Sequence, residues 1–148
     1  MQYFEDLEVG RIDRFGAYEV RREDVIDFAA RFDPQPFHLS DEAAAETHFG
    51  RLSASGWHTC AMTMAMVVEH MKANEHAGLG AAGIDELRWR RPVYPCDTLR
   101  CETEILAKTR SRSRPEMGSF RQGMKVINQH DEVVMTFTSI GLIKVRGD

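Results

Sequence analysis

The sequence predicts an α+β domain. Amphipathic helices come first, strands of period two follow, and between them lies a helix that is apolar almost all round. Such a helix needs cover on most of its surface, and an antiparallel sheet with one dry face provides it. At 148 residues, 43% apolar and 28% charged, the chain suits one domain spanning 1–148. A chain of that size buries roughly 68–70% of its unfolded surface without disulfide or metal staples.

From Arg22 onward, Val25, Phe28, Ala29 and Phe32 follow the i, i+3, i+4, i+7 spacing of a helix with one buried stripe. Glu23 and Asp24 sit in its first turn beside the positive end of the dipole, and Asp33-Pro34 ends it. Pro34 and Pro36 bar a helix through the loop that follows. Ser40 caps a second, short helix with Asp41 and Glu42 in its first turn, running to Phe49-Gly50. The third helix covers 57–71, where Trp57, Cys60, Met62, Met64, Met66, Val68 and Met71 point in nearly every direction, so it is expected to be enclosed on most sides.

The stretch 75–83, with Gly78, Gly80 and Gly83, reads as a mobile connection, and 84–93 as a weaker strand ending at Pro92. Next, Leu99, Cys101, Thr103 and Ile105 alternate with Arg100, Glu102 and Glu104, which gives a strand with one dry and one wet face. Segments 124–127 and 133–145 complete the strands, joined through the turn-like Asn128-Gln129-His130-Asp131, with Gly123 and Gly141 as expected bulges or bends.

The net charge of −4 gives no basic field for nucleic acid, so an anionic partner must be met locally. The start, Met1-Gln2-Tyr3-Phe4-Glu5-Asp6, lacks the basic and apolar regions of a signal peptide, and the expected location is cytoplasmic. Cys60, Cys96 and Cys101 are odd in number and lack C-x-x-C spacing, which argues for reduced packing residues over a disulfide framework or zinc site. The other histidines, at 48, 58, 70, 76 and 130, have no partner spacing that favours a metal, and no metal site is expected. The longest apolar run, 60–68, falls far short of the ~20 residues of a membrane span.

Phe32-Asp33-Pro34-Gln35-Pro36-Phe37-His38 is the stretch that points to chemistry. In a proline-stiffened loop, Asp33 and His38 can converge on one water or one substrate proton at little cost in backbone freedom. Taken alone, the spacing also suits an Asp ending a helix and a His in a structural hydrogen bond. Ser55-Gly56-Trp57-His58 opens the apolar helix. A glycine there lets an anionic oxygen approach a backbone amide at the positive end of the helix.

With Trp89-Arg90-Arg91-Pro92-Val93-Tyr94-Pro95-Cys96-Asp97-Thr98-Leu99 and Ser111-Arg112-Ser113-Arg114-Pro115, these segments resemble the MaoC-like dehydratases, which include the R-specific enoyl-CoA hydratases. The resemblance covers most of the chain. It implies a hot-dog fold, in which an antiparallel sheet wraps a central helix, and a homodimer with its acyl tunnel near the interface. The implied activity is reversible hydration of an enoyl thioester to a 3-hydroxyacyl thioester, carried by coenzyme A or acyl carrier protein, with no cofactor beyond the coenzyme A of the substrate. Asp33 and His38 correspond to the pair that holds the catalytic water, either one serving as base, and Gly56 to the amide that binds the thioester oxygen. Gln35, Ser55 and Trp57 are expected to shape the substrate site. Gln35 stands where the family commonly has asparagine, Ser55 where it often has histidine, and Met64 where the R-specific hydratases carry serine. Arg112 and Arg114, in a short Ser/Arg/Pro loop, are expected to hold the carrier's phosphate through bidentate guanidinium contacts. Two other functions fit the same residues: an acyl-CoA thioesterase, since one fold hosts several reactions, and a non-catalytic subunit that binds acyl thioesters.

Overall fold

The sheet joins two consecutive antiparallel pairings in the second half of the chain to two edge strands that come from earlier in the sequence. The computed structural model describes residues 1–147. Its five strands are β1 (Ile12–Glu19), β2 (Gly78–Trp89), β3 (Thr98–Arg110), β4 (Met117–Ile127) and β5 (Val133–Lys144). They form one antiparallel sheet in the order β1-β3-β4-β5-β2, which leaves β1 and β2 at the edges. The helices are α1 (Arg22–Phe32), α2 (Asp41–Ala45) and α3 (Gly56–Ala73), with single 3-10 turns at Phe4–Asp6 and Pro36–His38. Among the described residues no helix is long and apolar enough to cross a membrane.

The α+β class and the wrapping of a sheet on one long helix are as the sequence and the hot-dog resemblance predict. Helix α3 lays Met62 and Met66 on the inner sheet face, where Leu99, Cys101, Met124, Val126 and Met135 complete the core. In β3 the alternation holds residue by residue, with Leu99, Cys101, Thr103 and Ile105 all buried. Burial pushes the Cys101 thiol up to about 12, which makes it a packing group and not a nucleophile. Helix α1 has its expected bounds and starts without a side-chain cap, whereas Ser40 does cap α2 by accepting the Ala43 N–H.

Four expectations are corrected, and one strand, β1, has no counterpart in the sequence reading. The 75–83 stretch is not a connection, because β2 begins at Gly78. Its register slips at three places along β5, and such bulges absorb glycines that a regular strand would reject. Strand β1 carried no period-two signal, since Gly16 (φ +90°) lies in a bulge between Phe15 and Tyr18. A side chain at Gly16 would collide with Met66, so the glycine allows α3 to come close to the strand. Strand β4 begins at Met117, seven positions earlier than the sequence suggested, and α2 ends at Ala45, well short of Phe49.

The fourth correction concerns α3, which is enclosed on one side only. Trp57 (58% exposed), Met64 (53%) and Val68 (38%) form a stripe at helical spacing that nothing among the described residues covers.

Candidate active site

Asp33 ends α1: its N–H donates to the Ala29 carbonyl at 2.9 Å, and Pro34 prevents another turn. The Pro36–His38 turn then brings His38 back beneath it, because a proline at the first position of a helical turn gives up no hydrogen bond that the turn needs. The two prolines therefore exclude a continuing helix but permit this single turn.

The side chains meet with His38 Nε2 3.6 Å from Asp33 Oδ2. That gap is too long for a direct hydrogen bond. His38 is almost fully buried, and its Nδ1 lies 2.6 Å from the Ser53 carbonyl oxygen. A carbonyl only accepts, so Nδ1 carries the proton, and in neutral His38 the Nε2 lone pair faces Asp33. Asp33 accepts from Gln35 Nε2 at Oδ1 and from Ser55 Oγ at Oδ2, each at 2.7 Å. Burial by itself raises the Asp33 carboxyl, but the bonds from Ser55 and Gln35, with a smaller contribution from His38 when it is protonated, outweigh it and hold the group below its ordinary value. The site thus presents two acceptors, an ionised carboxylate and an imidazole lone pair, across a gap that one water donating to both would fill.

The segment leading into α3 is fixed from several sides. Leu52, Ser53, Ala54 and Ser55 are all buried; Leu52 N–H donates to Asp41 Oδ1 and Ala54 N–H to the Val93 carbonyl. Ser55 caps α3 by accepting the Trp57 N–H at 3.3 Å. Gly56 is the first helical residue, so its N–H belongs to the set that an α-helix leaves without an intrahelical partner. The absence of a side chain at 56 has a packing cause as well: a Cβ there would collide with the Trp89 indole, whose Nε1–H donates to the Gly56 carbonyl at 3.0 Å. Trp57 stands edge-on to Trp89, with ring centroids 5.2 Å apart, and turns most of its surface to solvent.

Of the residues expected at the site, Asp33, Gln35, His38, Ser55, Gly56 and Trp57 come together. Arg112 and Arg114 do not join them within one chain. They sit on the β3–β4 turn, whereas Trp89, which bonds Gly56, is level with Cys101 near the other end of β3, roughly 30 Å away along the strand at about 3.3 Å per residue. Arg114 is there paired with Glu116 at 3.2 Å. Ser53 and Trp89 are functional neighbours that no local pattern marked out, because they reach His38 and Gly56 from 15 and 33 residues away.

His58 packs against Phe28, ring centroids 4.6 Å apart, with a buried Nδ1 that has no partner among the described residues. Burial pulls its pKa down and Asp24 opposes this weakly. Among the described residues no three His, Cys, Asp or Glu side chains converge as a metal site. A cavity of about 300 Å³ runs between α3 and the sheet, lined by Phe15, Met64, Val67, Val68, Ile84 and Phe137 among others. It begins at Met64, roughly 12 Å beyond Gly56 at about 1.5 Å per helical residue.

With this geometry in place, the chain can be set beside known proteins. The family described as "MaoC like domain" matches residues 9–128. The 3-hydroxybutyryl-CoA dehydratase of Methylorubrum extorquens is 35% identical over 116 residues, covering 76% of this chain and 70% of that protein. The uncharacterized protein YdeM of Bacillus subtilis is 27% identical over 140 residues, covering 95% and 97%. The crystal structure of the MaoC-like dehydratase from Rhodospirillum rubrum superposes over 100% of both chains with a TM-score of 0.87 at 36% identity.

Proposed function

Since the chain belongs to the MaoC-like domain family, we propose that it catalyses reversible hydration of an enoyl thioester to a 3-hydroxyacyl thioester, on coenzyme A or acyl carrier protein. The observation that carries this reading is the 3.6 Å gap between His38 Nε2 and Asp33 Oδ2, two acceptors able to hold one water at about 2.8 Å from each. With both hydrogens so engaged, the water's remaining lone pairs are free to face C3 of the substrate.

In the hydration direction the water oxygen bonds to C3 while one O–H bond breaks and its proton passes to His38 Nε2. The C2–C3 π electrons move toward the thioester oxygen, which the Gly56 N–H stabilises as an enolate at the positive end of α3. The resulting imidazolium lies beside the ionised Asp33 and returns its proton to C2, which completes the addition. Asp33 orients the water and steadies the imidazolium; being held ionised, it has no proton of its own to give. Every step uses groups already named, so the scheme calls on no cofactor beyond the coenzyme A of the substrate.

The apolar cavity along α3 is the region of this chain suited to an acyl chain. The uncovered stripe Trp57, Met64 and Val68, together with exposed Leu79 and Ile84 on edge strand β2, supports a second copy of the chain as its cover. A homodimer would close both liabilities at once.

The test is loss of enoyl absorbance from trans-2-enoyl-CoA esters of increasing length, starting with the four-carbon ester, with released thiol titrated in parallel. The reading predicts loss of the enoyl signal without thiol. Thiol release in step with substrate loss would instead assign hydrolysis.

A further inference from the structure

We propose that Ser55 is a positioning residue and not a substrate contact: its hydroxyl ties the Asp33 carboxylate to the N-terminus of α3, so that the acid and the Gly56 amide are held as one unit. The inference rests on the hydration reading for its catalytic meaning, though the tie itself can be tested without turnover.

Three observations carry it. Ser55 is 0% exposed, which leaves no surface for a substrate to meet. Its single proton is committed to Asp33 Oδ2 at 2.7 Å, and a lone pair accepts the Trp57 N–H at 3.3 Å, so both functions of the hydroxyl are spent inside the protein. The bond to Asp33 spans 22 residues and joins the C-cap of α1 to the N-cap of α3. A hydroxyl suits this place because it accepts from an amide and donates to a carboxylate at once, whereas alanine does neither and a second carboxylate would repel Asp33.

Gln35 holds the other carboxylate oxygen, but it lies two residues from Asp33 on the same loop and moves with it. Ser55 is therefore the link that fixes the loop relative to the amide. A bond of this kind, from a neutral donor to a partly buried carboxylate, also favours the ionised acid. The titratable group facing Asp33 is His38 on the adjoining turn; Ser55 and Gln35 are neutral.

The test compares wild type, Ser55→Ala, Ser55→Thr and Ser40→Ala. Asp33 is titrated by ¹³C NMR of aspartate-labelled protein, assigned by loss of its signal in Asp33→Asn, and the pH profile of kcat/KM is recorded alongside. Ser55→Ala is expected to raise the Asp33 titration by about one pH unit and to lower kcat/KM on the plateau of its profile. Ser55→Thr, which keeps the hydroxyl, is expected to restore both. Ser40→Ala removes the cap of α2 without touching Asp33, and is expected to lower Tm with neither change. If Ser55→Ala lowers Tm but leaves the Asp33 titration in place, Ser55 is only a helix cap and the proposal is overturned. If the titration shifts while wild type hydrates no enoyl thioester, the tie stands and the hydration reading fails.

Discussion

Burial acts on two nearby residues, with different chemistry around each. Asp33 loses solvent but gains Ser55, Gln35 and His38, and its carboxyl falls below the ordinary value. His58 loses solvent and gains no partner at Nδ1, so burial lowers its pKa and keeps it neutral. Both effects have the same sign for stability. In each case the unfolded chain binds a proton at a higher pH than the folded one, so acidification favours unfolding. For His58 the loss begins as pH falls below the unfolded histidine value near 6.5. His58→Phe keeps a flat ring against Phe28 and removes the titration. Thermal melts should therefore show a shallower fall in Tm between pH 7 and 5 than wild type, and an unchanged slope would place the acid sensitivity elsewhere. At this scale the sequence revealed what was local. Asp33, Gln35 and His38 share one proline-bounded loop whose stiffness is written in its residues, whereas the Ser53 carbonyl that sets the His38 tautomer comes from a separate strand-like segment.

At the level of elements, the start of α3 depends on β2. The Trp89 indole fills the space beside Gly56 and bonds its carbonyl, so a methyl at 56 forces either the helix or the edge strand to move. Gly56→Ala should cost about 1–3 kcal/mol, the usual range for overpacking. Adding Trp89→Leu should recover part of that cost in a double-mutant cycle read by urea denaturation. Strictly additive losses would mean that the two residues are not in contact. The long α3 was legible from its nearly continuous apolar content, and β3 from its unbroken period of two. Strands β1 and β2 were not, because Gly16, Gly78, Gly80 and Gly83 sit at or beside bulges that erase the alternation. Of these, Gly16 admits Met66 at one edge and Gly78 admits Met71 at the other, a tertiary reason that has no local signature.

For the whole molecule, one five-stranded sheet covers half of an apolar helix and leaves two edges. The apolar residues of α3 led to an expectation of cover all round, and the sheet meets only one side of it; the proposed second copy of the chain would cover the rest. We expect light scattering to give twice the 16.9 kDa chain mass at micromolar concentration. Met64→Glu combined with Val68→Lys should convert the dimer to monomer, while a wild-type monomer would remove the role assigned to the exposed stripe. The arginines show the same limit of sequence. Arg112 and Arg114 look suited to phosphate by composition, yet the antiparallel path of β3 carries them to the far end of the sheet.

The central claim is that Asp33 and His38 together activate one water. Its most direct measurement is the rate of hydration of the four-carbon trans-2-enoyl-CoA ester by wild type, Asp33→Asn and His38→Gln, each shown to be folded by circular dichroism. The account predicts that each substitution lowers kcat by about 10²-fold or more, as expected for loss of positioned acid–base chemistry. Retention of wild-type kcat by either variant would contradict it.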